Sequence, residues 1–244
     1  MGGGTGTDFD TSRKIARAGL EIKAIKLSPE KPFVWASGYQ MPIYNDNRMF
    51  LSNPAYRDLI ANAFVGVVLD TIPDHEVIIA GTSTAGIPWA SFTADRLEYP
   101  MIYVRDKPKD HGLRNQIEGI DAEKDLDGRK VVLIEDLIST GGSSVSTVQA
   151  IRDAKGNCNH CFSVFNYGFQ DAEEMFQGER AYNKEEKKFL ARPCEVKSLL
   201  TYDILLDVAK EISYLTIEQI EFLKEWRAEP FKWGEKHGFP KVER

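Results

Sequence analysis

Cysteine is scarce: the 244 residues contain three, Cys158, Cys161 and Cys194. Two of them form a Cys-x-x-Cys around Asn159 and His160, but a zinc ribbon needs a second ligand pair and only one cysteine is left. The pair also opens the apolar run His160 to Tyr167, which reads more simply as a strand, so metal and redox roles are set aside. No apolar run approaches the roughly 20 residues that span a bilayer. A basic n-region with an apolar h-region is missing as well. Met1 to Thr7 is rich in Gly and Thr and reads as a leader, residues 1–10, which points to a cytoplasmic location. Basic excess is lacking too: the formal net charge is −6. Nucleic-acid binders draw most of their affinity from neutralised phosphates, so neither nucleic acid nor membrane is an expected partner.

Hydrophobic residues make up 42% of the chain and charged residues 28%, ordinary globular usage. No linker rich in Gly, Ser or Pro interrupts it, so a single domain over 1–244 is expected. Its centre, about 56–170, alternates β-rich runs with helical stretches. Strands are expected at Val77 to Ala80, Met101 to Val104, Lys130 to Ile134 and Phe162 to Tyr167, and helices at Ile87 to Leu97 and Ser144 to Ala154. Near-continuous Val, Ile and Leu imply burial on both faces. The fold class is therefore α/β, a mostly parallel twisted sheet flanked by helices, with ligands beyond the carboxyl ends of the strands. Residues of about 11–55 form an N-terminal helix, Arg13 to Leu27, and a small hood of short strands and turns from Phe33 to Phe50. A helical extension is expected over about 171–244. There Thr216 and Gln219 make a capping box ahead of Ile217, Ile220, Leu223 and Trp226, and Pro230 marks the stop.

One segment carries most of the chemistry: Val131-Val132-Leu133-Ile134-Glu135-Asp136-Leu137-Ile138-Ser139-Thr140-Gly141-Gly142-Ser143-Ser144. An apolar strand leads into two adjacent carboxylates, then a loop of hydroxyls and glycines, then a helix. Glycines let backbone N–H groups approach an anion, and a helix N-terminus adds unpaired donors and a favourable dipole. Ser139, Thr140 and Ser143 add hydroxyl donors. Glu135 and Asp136 can accept hydrogen bonds from a vicinal diol. A diol with a phosphate one carbon beyond its ring describes ribose 5-phosphate. The loop is neither a Walker A motif nor a GxGxxG fingerprint.

The stretch from Val131 to Ser144 resembles the phosphoribosyl pyrophosphate (PRPP) signature of type I phosphoribosyltransferases. The resemblance implies that fold. It also implies that Glu135 and Asp136 hold the ribose hydroxyls, with Leu137, Ile138, Ser139, Thr140, Gly141, Gly142 and Ser143 around the 5-phosphate. The run Arg105-Asp106-Lys107-Pro108-Lys109-Asp110-His111-Gly112 is similar to the catalytic loop of the orotate phosphoribosyltransferases. By that match Arg105, Lys109 and His111 bind the departing pyrophosphate, and Lys109, His111 and Asp136 are the catalytic candidates. Cations placed where negative charge develops favour the transition state.

Two further segments agree. Phe33 to Gly38 with Pro42 to Arg48 resembles the hood of the orotate enzymes, and Gly81 to Pro88 resembles their pyrophosphate loop, here Thr82, Ser83, Thr84 and Ala85. Ser139, Tyr44, Asn45 and Tyr167 are the implied orotate contacts. Ala36, Ala85, Asp106 and Tyr167 stand where some members carry basic residues. The resemblance further implies magnesium held mainly on PRPP with no direct protein ligand, and a homodimer sharing the mobile loop. Rival readings are another nucleobase phosphoribosyltransferase, which should lack the Lys109–His111 loop and the hood, and a non-enzymatic PRPP-sensing regulator, which should add a basic surface. A fused decarboxylase barrel of roughly 200 residues or more does not fit after Tyr167.

Overall fold

The structure is a computed structural model and describes residues 8–73, 76–106, 116–121, 125–178 and 192–243. In chain order the elements are α1 (Phe9–Glu21), β1 (Ile25–Leu27), β2 (Phe33–Val34), β3 (Gln40–Met41), β4 (Ile43–Asn45), a 3-10 turn (Asn47–Ser52), α2 (Pro54–Thr71), β5 (Ile78–Thr82), α3 (Gly86–Leu97) and β6 (Met101–Val104). There follow β7 (Ile117–Glu118), β8 (Lys130–Ile138), α4 (Gly142–Asp153), β9 (Asn157–Asn166), α5 (Gln170–Gln177), β10 (Glu195–Thr201), α6 (Tyr202–Glu211), α7 (Ile217–Ala228) and α8 (Pro230–Lys236).

Six strands form the central sheet in the order β10-β9-β8-β5-β6-β7. Neighbours run parallel except β7, which is antiparallel to β6. Two small antiparallel pairs, β1 with β4 and β2 with β3, make the hood. Side chains alternate between two apolar layers. Ile79, Val132, Ile134, Phe162 and Leu199 meet α1, α2, α3, α6 and α7 on one face. Ile78, Ala80, Val131, Leu133 and Cys161 meet α4 and α5 on the other. Burying each aliphatic or aromatic side chain contributes about 1.5–3 kcal/mol, which is why the strands read as unbroken apolar runs. Cys158, Cys161 and Cys194 are buried free thiols in this second layer.

Several boundaries differ from the sequence reading. The N-terminal helix begins inside the expected leader, at Phe9, because Asp8 caps it by accepting hydrogen bonds from the N–H groups of Asp10 and Thr11. It ends before Leu27: Lys23 takes a left-handed φ of 60°, and Ile25 starts a strand. The third core strand continues past Ile134, so Glu135 and Asp136 lie within β8. The fourth starts at Asn157 and contains the Cys-x-x-Cys. Helix α2, capped by Asn53 with Pro54 in its first turn, went unread. The C-terminal extension is more than helical, since β10 pairs with β9 as the sheet's edge. Its capping box does form at α7, and Ile220, Leu223 and Trp226 are buried while Ile217 is exposed. No helix among the described residues is long and apolar enough to cross a membrane.

Candidate active site

From β5 the chain moves toward β6, and from β8 it moves toward β9 on the opposite side. The adjacent strands β5 and β8 therefore flank a topological switch point, where a crevice opens outside their carboxyl ends. The register Gly81↔Ile134 and Thr82↔Val104 aligns the strand ends, so Thr82, Glu135 and Val104 lie along one row, with Arg105 one residue beyond it.

The acidic pair sits at this edge with little solvent access, 6% for Glu135 and 8% for Asp136. Buried carboxyl groups need donors, and each has them. Glu135 Oε1 accepts from the Asp136 backbone N–H at 2.9 Å, and its Oε2 accepts from the Ser144 hydroxyl at 2.8 Å. Asp136 Oδ1 accepts from the Trp89 indole N–H at 3.0 Å, and its carbonyl accepts from Asn47 Nδ2 at 2.9 Å. Burial raises the Glu135 carboxyl above its ordinary range, against the hydrogen bonds it accepts. Burial likewise pushes Asp136 up to about 7, with the carboxylates of Glu135 and Asp46 adding to the rise and the Trp89 hydrogen bond and Arg48 opposing it. At neutral pH Asp136 is poised between charge states.

Behind the pair, Gly141 adopts φ +82°, and its backbone closes the turn from β8 into α4. A side chain there would be strained, which explains the glycine. No side chain caps the first turn of α4, leaving its N–H groups available to an anion. Ser139 and Thr140 are half-buried beside it, and Ser143 is exposed. The loop after β5 places Thr82 in a buried position, Ser83 and Ala85 half-buried and Thr84 exposed, and α3 also begins without a capping side chain. Gly86 lets α3 approach β8: a Cβ there would lie 2.6 Å from the Ile134 carbonyl oxygen. That approach brings Trp89, in the first turns of α3, within reach of Asp136.

Arg105 follows β6. Its Nη1 lies 3.3 Å from Glu118 Oε1, and its backbone pairs with Gln116. In the hood, Tyr44 is exposed, with the Lys26 ammonium 5.6 Å from its ring centre. Neither amide atom of Asn45 has a hydrogen-bond partner although both are buried.

A family model described as a phosphoribosyl transferase domain matches residues 46–188. An orotate phosphoribosyltransferase of Listeria monocytogenes is 41% identical over 222 residues, which is 91% of this chain and 98% of that protein. The chain belongs to the orotate phosphoribosyltransferase family. Two solved structures share its fold. One is the orotate phosphoribosyltransferase of Aeropyrum pernix, with 22% identity, TM-score 0.63, and coverage of 83% of this chain and 99% of that one. The other is the Mycobacterium tuberculosis H37Rv orotate phosphoribosyltransferase in complex with PRPP, with 18% identity, TM-score 0.56, and coverage of 80% of this chain and 98% of that one. The mostly parallel sheet is thus the type I phosphoribosyltransferase fold.

Against the residues expected for an orotate phosphoribosyltransferase, the structure gathers the loops after β5 and β8 with the acidic pair at one crevice. Two of the expected residues have buried side chains. Tyr167 is 1% exposed, and its ring stacks on Phe169 at 5.3 Å among Trp35, Phe165, Tyr202 and Trp226. Its ring is part of the core. Ile138 is buried under α4, so it could contribute only backbone atoms to a phosphate site. Lys109 and His111 lie outside the described residues. Sequence reasoning missed Trp89, Asn47 and the bond from Ser144 to Glu135, the groups that hold the acidic pair. Asn47 stood in a segment already noted, whereas nothing in the linear chain links Trp89 to a carboxylate 47 positions later.

Proposed function

We propose that this chain transfers phosphoribosyl from PRPP to orotate, giving orotidine 5'-monophosphate and pyrophosphate on the route to UMP. The observation that carries this reading is the buried Glu135–Asp136 pair, beside two loops with uncapped helix N-termini at the switch point between β5 and β8. The pair accepts the ribose hydroxyls, and Ser139 to Ser143 with the first turn of α4 hold the 5-phosphate. Thr82 to Ala85 and Arg105, with Lys109 and His111 by resemblance, receive the pyrophosphate. Ser139, Tyr44 and Asn45 contact orotate, and the unpartnered Asn45 amide suits the base's alternating donors and acceptors.

In the reaction a ring nitrogen of orotate bonds to the anomeric carbon while the bond to pyrophosphate breaks. The bonding electrons leave with pyrophosphate, and the nitrogen's proton passes to the departing pyrophosphate or to water. Positive charge grows on the ribose ring, where the adjacent carboxylates stabilise it. Negative charge grows on the leaving group, where cations do the same. Closing the loop over the donor would exclude water and suppress hydrolysis.

Among the described residues no group of three or more His, Cys, Asp or Glu could hold a metal ion. By resemblance, a magnesium ion would be carried mainly on the donor's pyrophosphate and ribose hydroxyls with its water shell, where it would neutralise the leaving group. The same reading includes a cytoplasmic enzyme that works as a homodimer with a shared loop.

Orotate's ultraviolet absorbance, followed with PRPP and magnesium, tests the assignment. Loss of the orotate signal, abolished by Lys109→Ala and not reproduced with adenine, hypoxanthine or uracil, is the expected result. Turnover of another base instead would overturn the substrate assignment.

A further inference from the structure

Asp136 is gripped from two layers: Asn47 holds its backbone carbonyl from the hood, and Trp89 holds its carboxylate from α3. An indole N–H can only donate, and it does not titrate in the range where proteins fold. A carboxyl oxygen that accepts from it is committed as an acceptor in both charge states. When Asp136 is neutral, its proton therefore goes to Oδ2. When it is charged, Oδ2 is the oxygen with the freer lone pairs.

We propose that Trp89 is a positioning residue for phosphoribosyl transfer, fixing Oδ1 of Asp136 so that Oδ2 is the oxygen that takes the ribose hydroxyl. The inference rests on the assignment of Asp136 to the donor's diol. The geometry behind it is specific. Trp89 is fully buried, its Nε1 lies 3.0 Å from Oδ1, and Gly86 admits the start of α3 against β8, where any side chain would collide with the Ile134 carbonyl. A buried indole N–H needs an acceptor, and here that acceptor is the carboxylate at the crevice. The other groups acting on Asp136 are Glu135 beside it and Asp46 and Arg48 from the hood. Asp46 and Arg48 are bound to each other, with Arg48 Nε 2.6 Å from Asp46 Oδ1. Of these, Trp89 alone donates directly to the side chain. Its removal should favour the neutral acid and free the carboxyl group to rotate.

The test uses the full-length enzyme with Trp89→Phe, which keeps an aromatic ring but deletes the donor, and Trp89→His, whose five-membered ring can offer an N–H at a matching position. Steady-state kinetics are measured across pH, with PRPP varied at saturating orotate, and melting temperatures are recorded for each variant. Loss of one hydrogen bond to a charged group predicts that Trp89→Phe lowers kcat/KM for PRPP by about tenfold or more. The acid limb of its pH profile should move to higher pH, and Trp89→His should recover most of the loss. An unchanged profile in Trp89→Phe would overturn the proposal. So would a loss of equal size at every pH that Trp89→His fails to rescue, because that pattern belongs to packing alone. Asp136→Asn, measured in parallel, separates the two levels. If it too leaves catalysis intact, the assignment of Asp136 to the diol fails; if it abolishes catalysis while Trp89→Phe does nothing, only the role of Trp89 fails.

Discussion

The carboxyl ends of β8 and β9 lie side by side in one sheet, paired in register from Glu135↔Ser163 to Ile138↔Asn166, yet they meet opposite environments. Strand β8 ends in two carboxylates and a loop of Ser, Thr and Gly. Strand β9 runs into Tyr167 and Phe169, closed over by Trp35, Tyr202 and Trp226. Beyond the ladder itself, the Tyr167 N–H donates to the Ile138 carbonyl at 3.1 Å and ties the two ends together. In an open parallel sheet, ligands bind beyond the carboxyl ends of the strands, at the switch point. Here the C-terminal helices fill one end with aromatic side chains, which leaves the crevice between β8 and β5 as the place where charge can be exposed. Part of the polarity of the site is thus a consequence of what α7 covers.

The sharpest way to break this contrast is on the plugged side. Trp226 is fully buried, and its indole N–H points at Met41 Sδ, 3.1 Å away, tying α7 to the hood. Trp226→Ala should destabilise the fold by about 3–5 kcal/mol, read from urea unfolding. A much smaller loss would mean that the aromatic cluster is not what closes β9. On the open side, Asp136→Asn should fold normally but lower kcat/KM by about 10²–10³-fold, the cost typical of losing one group that stabilises transition-state charge.

Acidity separates the two ends further. Asp136 ordinarily ionises at 3.8 and here does so at about 7, so between those values the folded chain keeps a proton that the unfolded chain has released. Stability therefore falls as pH rises through this window, and activity that needs the carboxylate rises through about pH 7. Thermal and urea unfolding at pH 5 and pH 8 should show Asp136→Asn gaining on the parent by about 2 kcal/mol at the higher pH. An equal offset at both pH values would contradict the shift. The smallest effect belongs to Tyr167, whose ring is buried in the aromatic cluster. Tyr167→Phe should leave KM for orotate within twofold, and a larger change would return that side chain to the base site.

These contrasts also show what could be read from the chain. The strand Met101–Val104 was legible to the residue, because a proline precedes it and charged residues follow. The donor motif was legible because its parts are contiguous: strand, acids, hydroxyls and glycines within 131–144. Its strand was nevertheless read too short, since two carboxylates look like a strand's end when nothing in the sequence shows the donors that make them tolerable inside it. Strand β10 escaped because it opens with Glu195 and Lys197, polar residues that an edge can carry. The burial of Tyr167 was hidden for a related reason. The resemblance implied an orotate contact there, but its burial depends on Trp226, which arrives from α7, far along the chain. The pair Trp89–Asp136 was equally out of reach, because it exists only once α3 packs against β8.

A crystal structure with PRPP and magnesium bound tests the central contrast most directly. The account predicts the ribose hydroxyls within hydrogen-bond distance of Glu135 and Asp136, and the 5-phosphate enclosed by Ser139 to Ser143 and the start of α4, with Tyr167 still buried in its aromatic cluster. A donor whose diol lies away from that pair, or a Tyr167 ring turned out onto the ligand, would contradict it.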